Sequence, residues 1–229
     1  MEEQSRAVVL LSGGLDSSTA LAWAVKKMGW HCHTVAFDYG QRHKVELKSS
    51  ARVAASLGVT DHRIINVDMR TIGHSALTSD LAVPKDDEDH VGVPVTYVPA
   101  RNLIFLSLAA GLAETVGASY LVIGANVVDY SGYPDCRPEF LEAFVQAARL
   151  GTKAGCEGKK LEISAPLIEL GKNEIIKLGL DLGVDYGLTS SCYDPQQDGS
   201  PCGHCDSCFY RRQGFEKLGQ QDPLDYPDF

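Results

Sequence analysis

A short segment rich in glycine and serine, Ser12-Gly13-Gly14-Leu15-Asp16-Ser17-Ser18, carries the residue types best suited to hold an anion. Its two glycines allow a tight turn and a close backbone approach to a ligand, because no Cβ stands in the way. Ser17 and Ser18 supply hydroxyl groups at the start of the following helix, where unpaired N–H groups and the helix dipole favour phosphate. The segment is neither a Walker loop, since no Gly-Lys-Ser/Thr ends it, nor a G-x-G-x-x-G motif. We therefore predict a phosphate-binding loop of another type.

Four of the seven cysteines lie close together: Cys192, followed by Cys202, Cys205 and Cys208 in C-x-x-C-x-x-C spacing. Four thiolates at such a spacing can close a tetrahedral Zn²⁺ site, whose role is structural because no coordination position stays open. An iron–sulfur cluster is the alternative, since the triplet is spaced like the start of a ferredoxin motif, although no further cysteine follows where that motif needs one. The odd number of cysteines and the lack of an export signal argue against disulfide bonds and predict a reducing, cytoplasmic location.

The composition is that of an ordinary globular domain. Hydrophobic residues make up 44% of the 229 residues and charged residues 22%, which argues against disorder and fibrous repeats. The formal net charge of −9 makes nucleic acid and anionic membranes poor partners, so we expect small-molecule substrates instead. No stretch approaches the roughly 20 apolar residues of a membrane-spanning helix.

The pattern of apolar residues predicts alternating strands and helices around these candidate sites. Ala7-Val8-Val9-Leu10-Leu11 is continuously apolar, as expected of a strand buried on both faces of a parallel sheet. The order β-α-β-α-β predicts an α/β fold with a doubly wound, mostly parallel sheet. The glycine-rich loop would then follow the carboxyl end of the first strand, where such sheets bind ligands. Further strands are predicted at 33–38, 64–67, 120–123 and 161–165, and helices at 17–28, 44–57, 101–116, 138–150 and 173–182.

We divide the chain into a nucleotide-binding α/β domain, residues 1–166, and a C-terminal helical extension with the cysteine site, residues 167–229. Residues 69–99 interrupt the rhythm with three prolines and an acidic run, Asp86-Asp87-Glu88-Asp89. A loop of this length predicts a lid or a mobile insertion, and its acidic run is typical of a solvated tip and not of a metal site. The tail after Leu218 is expected to be loose or packed on a neighbouring molecule.

The glycine-rich loop resembles the Ser-Gly-Gly-x-Asp-Ser signature of the PP-loop ATP pyrophosphatases. Those enzymes cleave ATP between its α and β phosphates and transfer AMP to a substrate oxygen. The resemblance implies that Asp16 orients the loop or holds Mg²⁺, and that Asp16, Ser17 and Lys172 act in catalysis. It also implies that Arg101 and Lys172 clamp the phosphates from helix starts, the alternative for both being an ordinary surface charge. The ATP-binding residues implied in this way are Leu11, Ser12, Gly13, Gly14, Leu15, Asp16, Ser17, Ser18, Thr19, Ala20, Leu21 and Arg101.

Three further motifs make the resemblance more specific: Asp38-Tyr39-Gly40-Gln41-Arg42-His43, Gly132-Tyr133-Pro134-Asp135-Cys136-Arg137-Pro138-Glu139-Phe140, and Thr189-Ser190-Ser191-Cys192-Tyr193 with the cysteine triplet. Together with the loop they look like the 7-cyano-7-deazaguanine synthase family over nearly the whole chain. The resemblance implies a ligase that acts on 7-carboxy-7-deazaguanine, ATP and ammonia in queuosine precursor biosynthesis. The nitrile would form through an adenylated acid and an amide, with release of AMP and pyrophosphate. A homodimer is also expected from the resemblance.

The same resemblance suggests substrate contacts in the loop before residue 138. Asp135 would accept hydrogen bonds from the guanine-like edge, Arg137 would pair with the substrate carboxylate, and Tyr130 or Tyr133 would stack on the ring. The alternative is that this loop only packs against the sheet. Cys136 could act as a covalent catalyst, although we favour a non-covalent role.

Three other functions stay open at this point. Another PP-loop ligase that acts on tRNA would need a basic surface, which the net charge disfavours. A non-enzymatic zinc-knuckle module that keeps a nucleotide fold is disfavoured by the intact Ser-Gly-Gly-Leu-Asp-Ser motif. A paralogue that modifies protein or DNA by the same deazapurine chemistry is not excluded by a single sequence.

Overall fold

The computed structural model describes residues 4–86, 92–128 and 133–227. None of the helices within these ranges has the length and apolar character needed to cross a membrane. The described strands are β1 (Arg6–Leu10), β2 (His31–Asp38), β3 (His62–Asn66), β4 (Tyr120–Val122) and β5 (Glu162–Ser164). The described α-helices are α1 (Leu15–Ala22), α2 (Val45–Ser56), α3 (Arg101–Val116), α4 (Pro138–Gly151), α5 (Lys153–Cys156), α6 (Lys172–Asp181) and α7 (Asp206–Lys217).

The five strands run parallel in one sheet, in the order β3-β2-β1-β4-β5. β1 lies at the centre, with Ala7 in register with Cys32 of β2 and with Tyr120 of β4. The chain winds outward from β1 to β3, and then crosses over to β4 and β5 on the other side of β1. The loops after β1 and β4 diverge at this change of direction, which creates a crevice at the carboxyl ends of the strands. The sheet confirms the predicted doubly wound α/β fold.

The central strand is buried on both faces because its alternate side chains enter two different cores. Val8 and Leu10 pack against α3 and α4, whereas Ala7 and Val9 pack against α1, α2, α6 and Phe215 of α7. The second of these cores joins residues from both sides of position 166. Helices α6 and α7 thus complete the sheet face that α1 begins, and the division at residue 166 stays a prediction.

The elements predicted from the sequence are present with bounds that differ by a residue or two, but the first helix ends differently. Its periodicity places Met28 on the buried face, whereas Met28 is 42% exposed. After Ala22 the helix widens into a π turn, Trp23–Lys27, in which the Met28 N–H donates to the Trp23 carbonyl at 3.1 Å. The extra residue in this turn rotates Met28 out of the apolar stripe.

The described part of the 69–99 insertion packs against the cysteine region. Ala76 and Val83 are buried in one cluster with Cys205 and Cys208. The Asp86 N–H also donates to the carbonyl of residue 204 at 2.9 Å. The rest of the acidic run, residues 87–89, lies outside the described residues, and the lid function of the insertion stays a prediction.

The tail after Leu218 contacts its own chain as far as Tyr226, which corrects the expectation of a loose tail; packing on a neighbouring molecule stays a prediction. Asp222 accepts two hydrogen bonds from Arg211 of α7, at 2.7 and 2.9 Å, and one from the Tyr226 hydroxyl at 2.7 Å. The side chains of Arg211 and Asp222 are 3% and 7% exposed. A buried ion pair therefore anchors the tail, and the sequence alone gave no sign of its partner.

Candidate active site and metal centre

A cavity of about 310 Å³ opens at the carboxyl ends of β1, β2 and β4. The loop after β1 and the beginnings of α1, α3 and α6 line one part of it. Residues after β2 and β4, the segment 190–193 and the beginning of α7 line the rest. The predicted phosphate loop, both predicted cations and one predicted substrate residue, Tyr133, therefore share one cavity.

The loop after β1 is closed by its own hydroxyl groups. The Gly14 N–H donates to Ser12 Oγ at 3.3 Å, and Ser12 Oγ lies 3.0 Å from Ser17 Oγ. Ser17 and Ser18 donate to the Gly14 carbonyl at 3.2 and 2.7 Å. Because α1 begins at Leu15, the N–H groups of its first turn lack partners within the helix and lie beside the cavity. This is the arrangement that binds phosphate.

Two glycines let three parts of the chain meet beneath this loop. A Cβ on Gly13, whose φ is +86°, would lie 2.5 Å from the Glu46 carbonyl oxygen and from the Ser50 nitrogen of α2. A Cβ on Gly124, just after β4, would lie 2.9 Å from the Ser17 nitrogen. The loop, α2 and the end of β4 are therefore packed backbone against backbone, which a side chain at either position would prevent.

The predicted catalytic residues Asp16 and Lys172 form an ion pair. Lys172, the first residue of α6, places its Nζ atom 2.8 and 2.9 Å from the two carboxylate oxygens of Asp16. The two side chains are only 16% and 32% exposed, so solvent screens this pair less than a surface pair. A cation from the C-terminal part of the chain thus stands beside the phosphate loop.

The C-terminal end of the predicted ATP-binding segment, residues 11–21, is buried and does not face the cavity. Thr19 is completely buried, and its Oγ1 lies 2.7 Å from the Tyr186 hydroxyl. The residues of the segment that line the cavity are Leu11, Ser12, Gly14, Leu15, Asp16 and Ser17. The residues of the segment that do not line it are Gly13, Ser18, Thr19, Ala20 and Leu21.

Arg101, the first residue of α3, brings the second predicted cation to the cavity. Its Cζ atom lies 6.0 Å from the centroid of the Tyr39 ring. Burial lowers the pKa of Arg101, but the nearby Tyr39, Tyr133, Cys136 and Asp135 together raise that pKa by more, so the guanidinium stays charged. An aromatic wall with a fixed positive charge is suited to a flat, anionic ligand.

Tyr133 and Cys136, which lie in the loop before α4, line the cavity. The Tyr133 hydroxyl lies 3.0 Å from Thr96 Oγ1, and Asn102 Nδ2 donates to Cys136 Sγ at 3.2 Å. Burial raises the pKa of the Cys136 thiol to about 11, so this thiol stays protonated at neutral pH. A protonated thiol is a poor nucleophile, which favours the non-covalent role. The other candidate for ring stacking, Tyr130, lies outside the described residues.

Asp135 and Arg137, both predicted to contact substrate, do not line the cavity. Asp135 is buried, and its Oδ2 accepts a hydrogen bond from the Asn102 N–H at 2.8 Å in the first turn of α3. Arg137 is exposed and donates to the Pro134 carbonyl at 3.1 Å. Their contacts with substrate stay predictions, and the geometry gives Asp135 a supporting contact at the helix that carries Arg101.

Ser191, which lies in the motif of residues 189–193 and has no role predicted from the sequence, reaches the phosphate loop. Its Oγ accepts the Leu15 N–H at 3.1 Å, and the Ser190 N–H donates to the Gly13 carbonyl at 2.9 Å. Ser207 of α7 in turn donates to the Ser191 carbonyl at 2.7 Å. The segment before Cys192 thus links the cysteine region to the loop; its position directly before a predicted ligand was the available signal.

Glu46 is a second lining residue that sequence reasoning missed. It lies in the first turn of α2, where an acidic residue is most simply explained by the helix dipole. Gln41 Nε2 donates to Glu46 Oε1 at 2.8 Å. Burial raises the pKa of Glu46 to about 7, although Arg101 and the Gln41 hydrogen bond oppose the shift. The side chain is thus an acid that changes protonation near neutral pH.

The four predicted metal ligands come together on one side of the cavity. The Sγ atoms of Cys192, Cys202, Cys205 and Cys208 all lie within 4.8 Å of one another, and these cysteines form no disulfide. Sulfurs at ~2.3 Å from a tetrahedral ion are roughly 3.8 Å apart. Two of the observed Sγ–Sγ distances are 3.9 and 3.6 Å. The donor set and its dimensions therefore fit one metal ion.

The family model described as "Queuosine biosynthesis protein QueC" matches residues 6–219 of the chain. This chain belongs to the QueC family. Proteins named 7-cyano-7-deazaguanine synthase from Myxococcus xanthus (strain DK1622) and from Paramagnetospirillum magneticum are 58% and 57% identical to it. The matches cover 97% and 96% of this chain and 98% of each relative. Family membership confirms the resemblance that the loop and the three later motifs indicated.

A solved structure is similar to this QueC-family chain in fold. The "Structure of NMN synthetase from Francisella tularensis" matches with a TM-score of 0.50 and 17% sequence identity, over 96% of this chain and 79% of that chain. At this level of identity the likeness concerns the fold alone. It agrees with the parallel sheet and its flanking helices.

Proposed function

We propose that this QueC-family chain is an enzyme that makes 7-cyano-7-deazaguanine from 7-carboxy-7-deazaguanine, ammonia and ATP. One observation carries the proposal: the phosphate loop, Lys172 and Arg101 converge on a single cavity. The chain is also 58% identical, over nearly its full length, to a protein named 7-cyano-7-deazaguanine synthase. A non-enzymatic binding module would not need the two cations and the beginning of α1 in one place.

The loop is suited to activate the substrate carboxylate. A carboxylate oxygen attacks the α-phosphorus of ATP, the bond to pyrophosphate breaks, and negative charge grows on the leaving phosphates. The first-turn N–H groups of α1, the hydroxyls of Ser12 and Ser17 and the Lys172 ammonium would stabilise that charge in the transition state. Asp16 would hold Mg²⁺, which neutralises phosphate charge when it is bound with ATP.

The nitrile requires a second activation at the same carbon. Ammonia displaces AMP from the adenylated acid and gives the amide, whose oxygen then attacks a second ATP. Loss of AMP and of the N–H protons leaves the nitrile. Because both activations place an oxygen of the same carbon at the α-phosphorus, one loop and one cavity can serve both half-reactions.

Zn²⁺ is the metal that we propose for the cysteine site. Four thiolates suit its tetrahedral geometry and leave no open position for catalysis. When bound, the ion would tie Cys192 to the beginning of α7, and both border the cavity. Its contribution would be to folding and to the position of Ser191, not to the chemical steps.

The substrate ring would bind beside Tyr133, because this residue lines the cavity next to Arg101. Arg137 would need to turn toward the cavity to pair with the substrate carboxylate, and Asp135 would act through the first turn of α3. A homodimer, which depends on the family resemblance, and the absence of a nucleic-acid partner, which depends on the net charge, complete the proposal. The cytoplasmic location depends on the cysteine count and the lack of an export signal.

The proposal is tested by comparing Lys172→Met with Lys177→Met on the same helix. Lys177 also pairs with an aspartate, Asp181, at 2.8 Å, but this pair is exposed and does not line the cavity. With ATP, Mg²⁺, ammonium and 7-carboxy-7-deazaguanine, Lys172→Met should lower the rate of AMP formation by about 10²–10³-fold. Lys177→Met should keep the wild-type rate. Equal rates for both variants would remove Lys172 from the reaction.

A further inference from the structure

Glu46 stands at the junction between the phosphate loop and the rest of the cavity. Its carbonyl oxygen lies against Gly13, and its side chain lines the cavity. The carboxylate is held by Gln41, whose own amide is fixed at both ends: Gln41 Oε1 accepts the Tyr39 N–H at 2.7 Å, and Gln41 Nε2 also donates to the Phe37 carbonyl at 3.2 Å. A buried, fully engaged glutamine thus fixes the direction of the Glu46 carboxylate.

The proposed reaction needs a proton acceptor, and the following inference rests on that proposed function. Ammonium is the predominant form of the nitrogen substrate at neutral pH, and it has no lone pair with which to attack. It must lose a proton before it can displace AMP. Later the amide nitrogen must lose both of its hydrogens as the nitrile forms. The same nitrogen, attached to the same carbon, therefore has to give up protons in both half-reactions.

We infer that Glu46 is the general base that takes protons from this nitrogen. In the first half-reaction the Glu46 carboxylate takes one proton from ammonium and becomes the carboxylic acid. The freed lone pair forms the C–N bond, the bond from carbon to the AMP oxygen breaks, and AMP leaves with its electron pair. The remaining extra proton on nitrogen passes to solvent, as does the proton on Glu46. In the second half-reaction Glu46 takes one proton from the nitrogen and solvent takes the other, the C≡N bond forms, and the bond from carbon to the AMP oxygen breaks as AMP leaves with its electron pair.

The surroundings of Glu46 suit the transfer of protons from the nitrogen to its carboxylate and from there to solvent. Burial raises its pKa to about 7, and the charged groups that face it are Arg101 of α3, which lowers the pKa, and Asp38 at the end of β2, which raises it. Asp38 is itself paired with Lys44 at 2.6 Å. A base works best when its pKa lies near the working pH, because it is then partly ionised and still a competent acceptor.

The other carboxylates among the described lining residues are less available. Asp16 is bound to Lys172 through both oxygens, at 2.8 and 2.9 Å. Asp206 directly follows Cys205 of the metal site and begins α7. The Cys136 thiol, which also lines the cavity, is held protonated by burial and is therefore not a base. Glu46, by contrast, is held by a neutral amide, that of Gln41.

The experiment uses Glu46→Gln, with Glu46→Asp as the conservative variant and Glu142→Gln on the exposed face of α4 as the matched control. Each is assayed with ammonium and, separately, with hydroxylamine, a nitrogen nucleophile that is largely unprotonated at neutral pH. Amide or hydroxamate formation is measured between pH 6 and 9, together with pyrophosphate release. Wild-type nitrile formation with ammonium is recorded first, because its failure would contradict the proposed function and not the role of Glu46.

With Glu46→Gln, amide formation from ammonium should fall by about 10²–10⁴-fold near pH 7 and recover as rising pH supplies free ammonia. Hydroxamate formation and pyrophosphate release should stay within a few-fold of wild type, because neither needs this base. Glu46→Asp should retain part of the ammonium reaction, and Glu142→Gln all of it. An equal loss with both nucleophiles, a loss of pyrophosphate release, or an unchanged ammonium reaction would each overturn the inference.

Discussion

Gly13→Ala should damage the phosphate loop more than its small change in volume suggests. The added Cβ would lie 2.5 Å from the Glu46 carbonyl oxygen and from the Ser50 nitrogen, and 3.0 Å from the Ser49 carbonyl carbon. All three atoms belong to the backbone of α2, which cannot rotate away as a side chain would. The φ of +86° adds a second cost, since an L-residue with a Cβ is disfavoured in that region.

The magnitude follows from these two costs. A left-handed conformation costs an alanine about 1–2 kcal/mol, and overpacking against a rigid neighbour costs about 1–3 kcal/mol. We therefore expect Gly13→Ala to lower the free energy of unfolding by about 2–5 kcal/mol, out of a total of about 5–15 kcal/mol. Gly29→Ala separates the two costs, because Gly29 has a φ of +67° but no atom within 4 Å of an added Cβ. It should lose about 1–2 kcal/mol, the conformational cost alone.

The assay is urea unfolding of the wild type and both variants, with ATP-dependent AMP formation measured under native conditions. Gly13→Ala should unfold at a lower urea concentration than Gly29→Ala, and its folded form should release AMP more slowly. Gly29→Ala, whose glycine lies outside the cavity lining, should keep the wild-type rate. Equal destabilisation by both variants would refute the close approach of the loop and α2.

Four further changes test other parts of the structure. Asp222→Ala leaves the buried Arg211 guanidinium without a carboxylate partner and should lower the free energy of unfolding by about 3–5 kcal/mol in urea titrations; a loss below ~1 kcal/mol would contradict the tail anchor. Cys205→Ser should remove bound metal, measured by elemental analysis, and lower Tm, so retained metal would speak against the site. Cys136→Ser should keep activity within a few-fold, because burial holds that thiol protonated, whereas loss of turnover would indicate covalent catalysis. Hydrogen bonds from Arg63 and His33 lower the pKa of Asp61 from 3.8 to about 2. The free energy of unfolding that the ionised carboxylate contributes above pH ~4 should therefore be lost as the pH falls toward 2. Asp61→Asn should flatten that decline in acid-unfolding curves.

The sequence was sufficient for features that depend on local spacing. The apolar run of β1, the glycines that follow it and the C-x-x-C-x-x-C triplet each predict their structure within a few residues along the chain. The doubly wound fold class also followed, because right-handed crossovers leave few arrangements for successive β-α units, whereas the strand order came from the structure. The family resemblance indicated that Lys172 lies near the phosphates but not that it pairs with Asp16, and the residues themselves allowed a surface lysine equally well.

Features that depend on contacts between distant segments were beyond the sequence. From the sequence alone, Glu46 is explained by the dipole of α2, whereas the structure places its side chain beside Gln41 and the loop. Asp135 has the character of a ligand-binding acid, yet its carboxylate meets the first turn of α3. Met28 fits the helical period, but the π turn before it changes which face it lies on. In each case tertiary packing selects among local patterns that the sequence permits equally.

The proposed reaction is tested by mass spectrometry of the purified chain after incubation with 7-carboxy-7-deazaguanine, ATP, Mg²⁺ and ammonium, with the deazapurine and AMP followed together. We expect the amide to appear first, the nitrile to replace it, and AMP to be released twice for each nitrile. Release of AMP without any change in the deazapurine would contradict the substrate assignment. Absence of both products from a metal-loaded, folded preparation would contradict the proposed reaction itself.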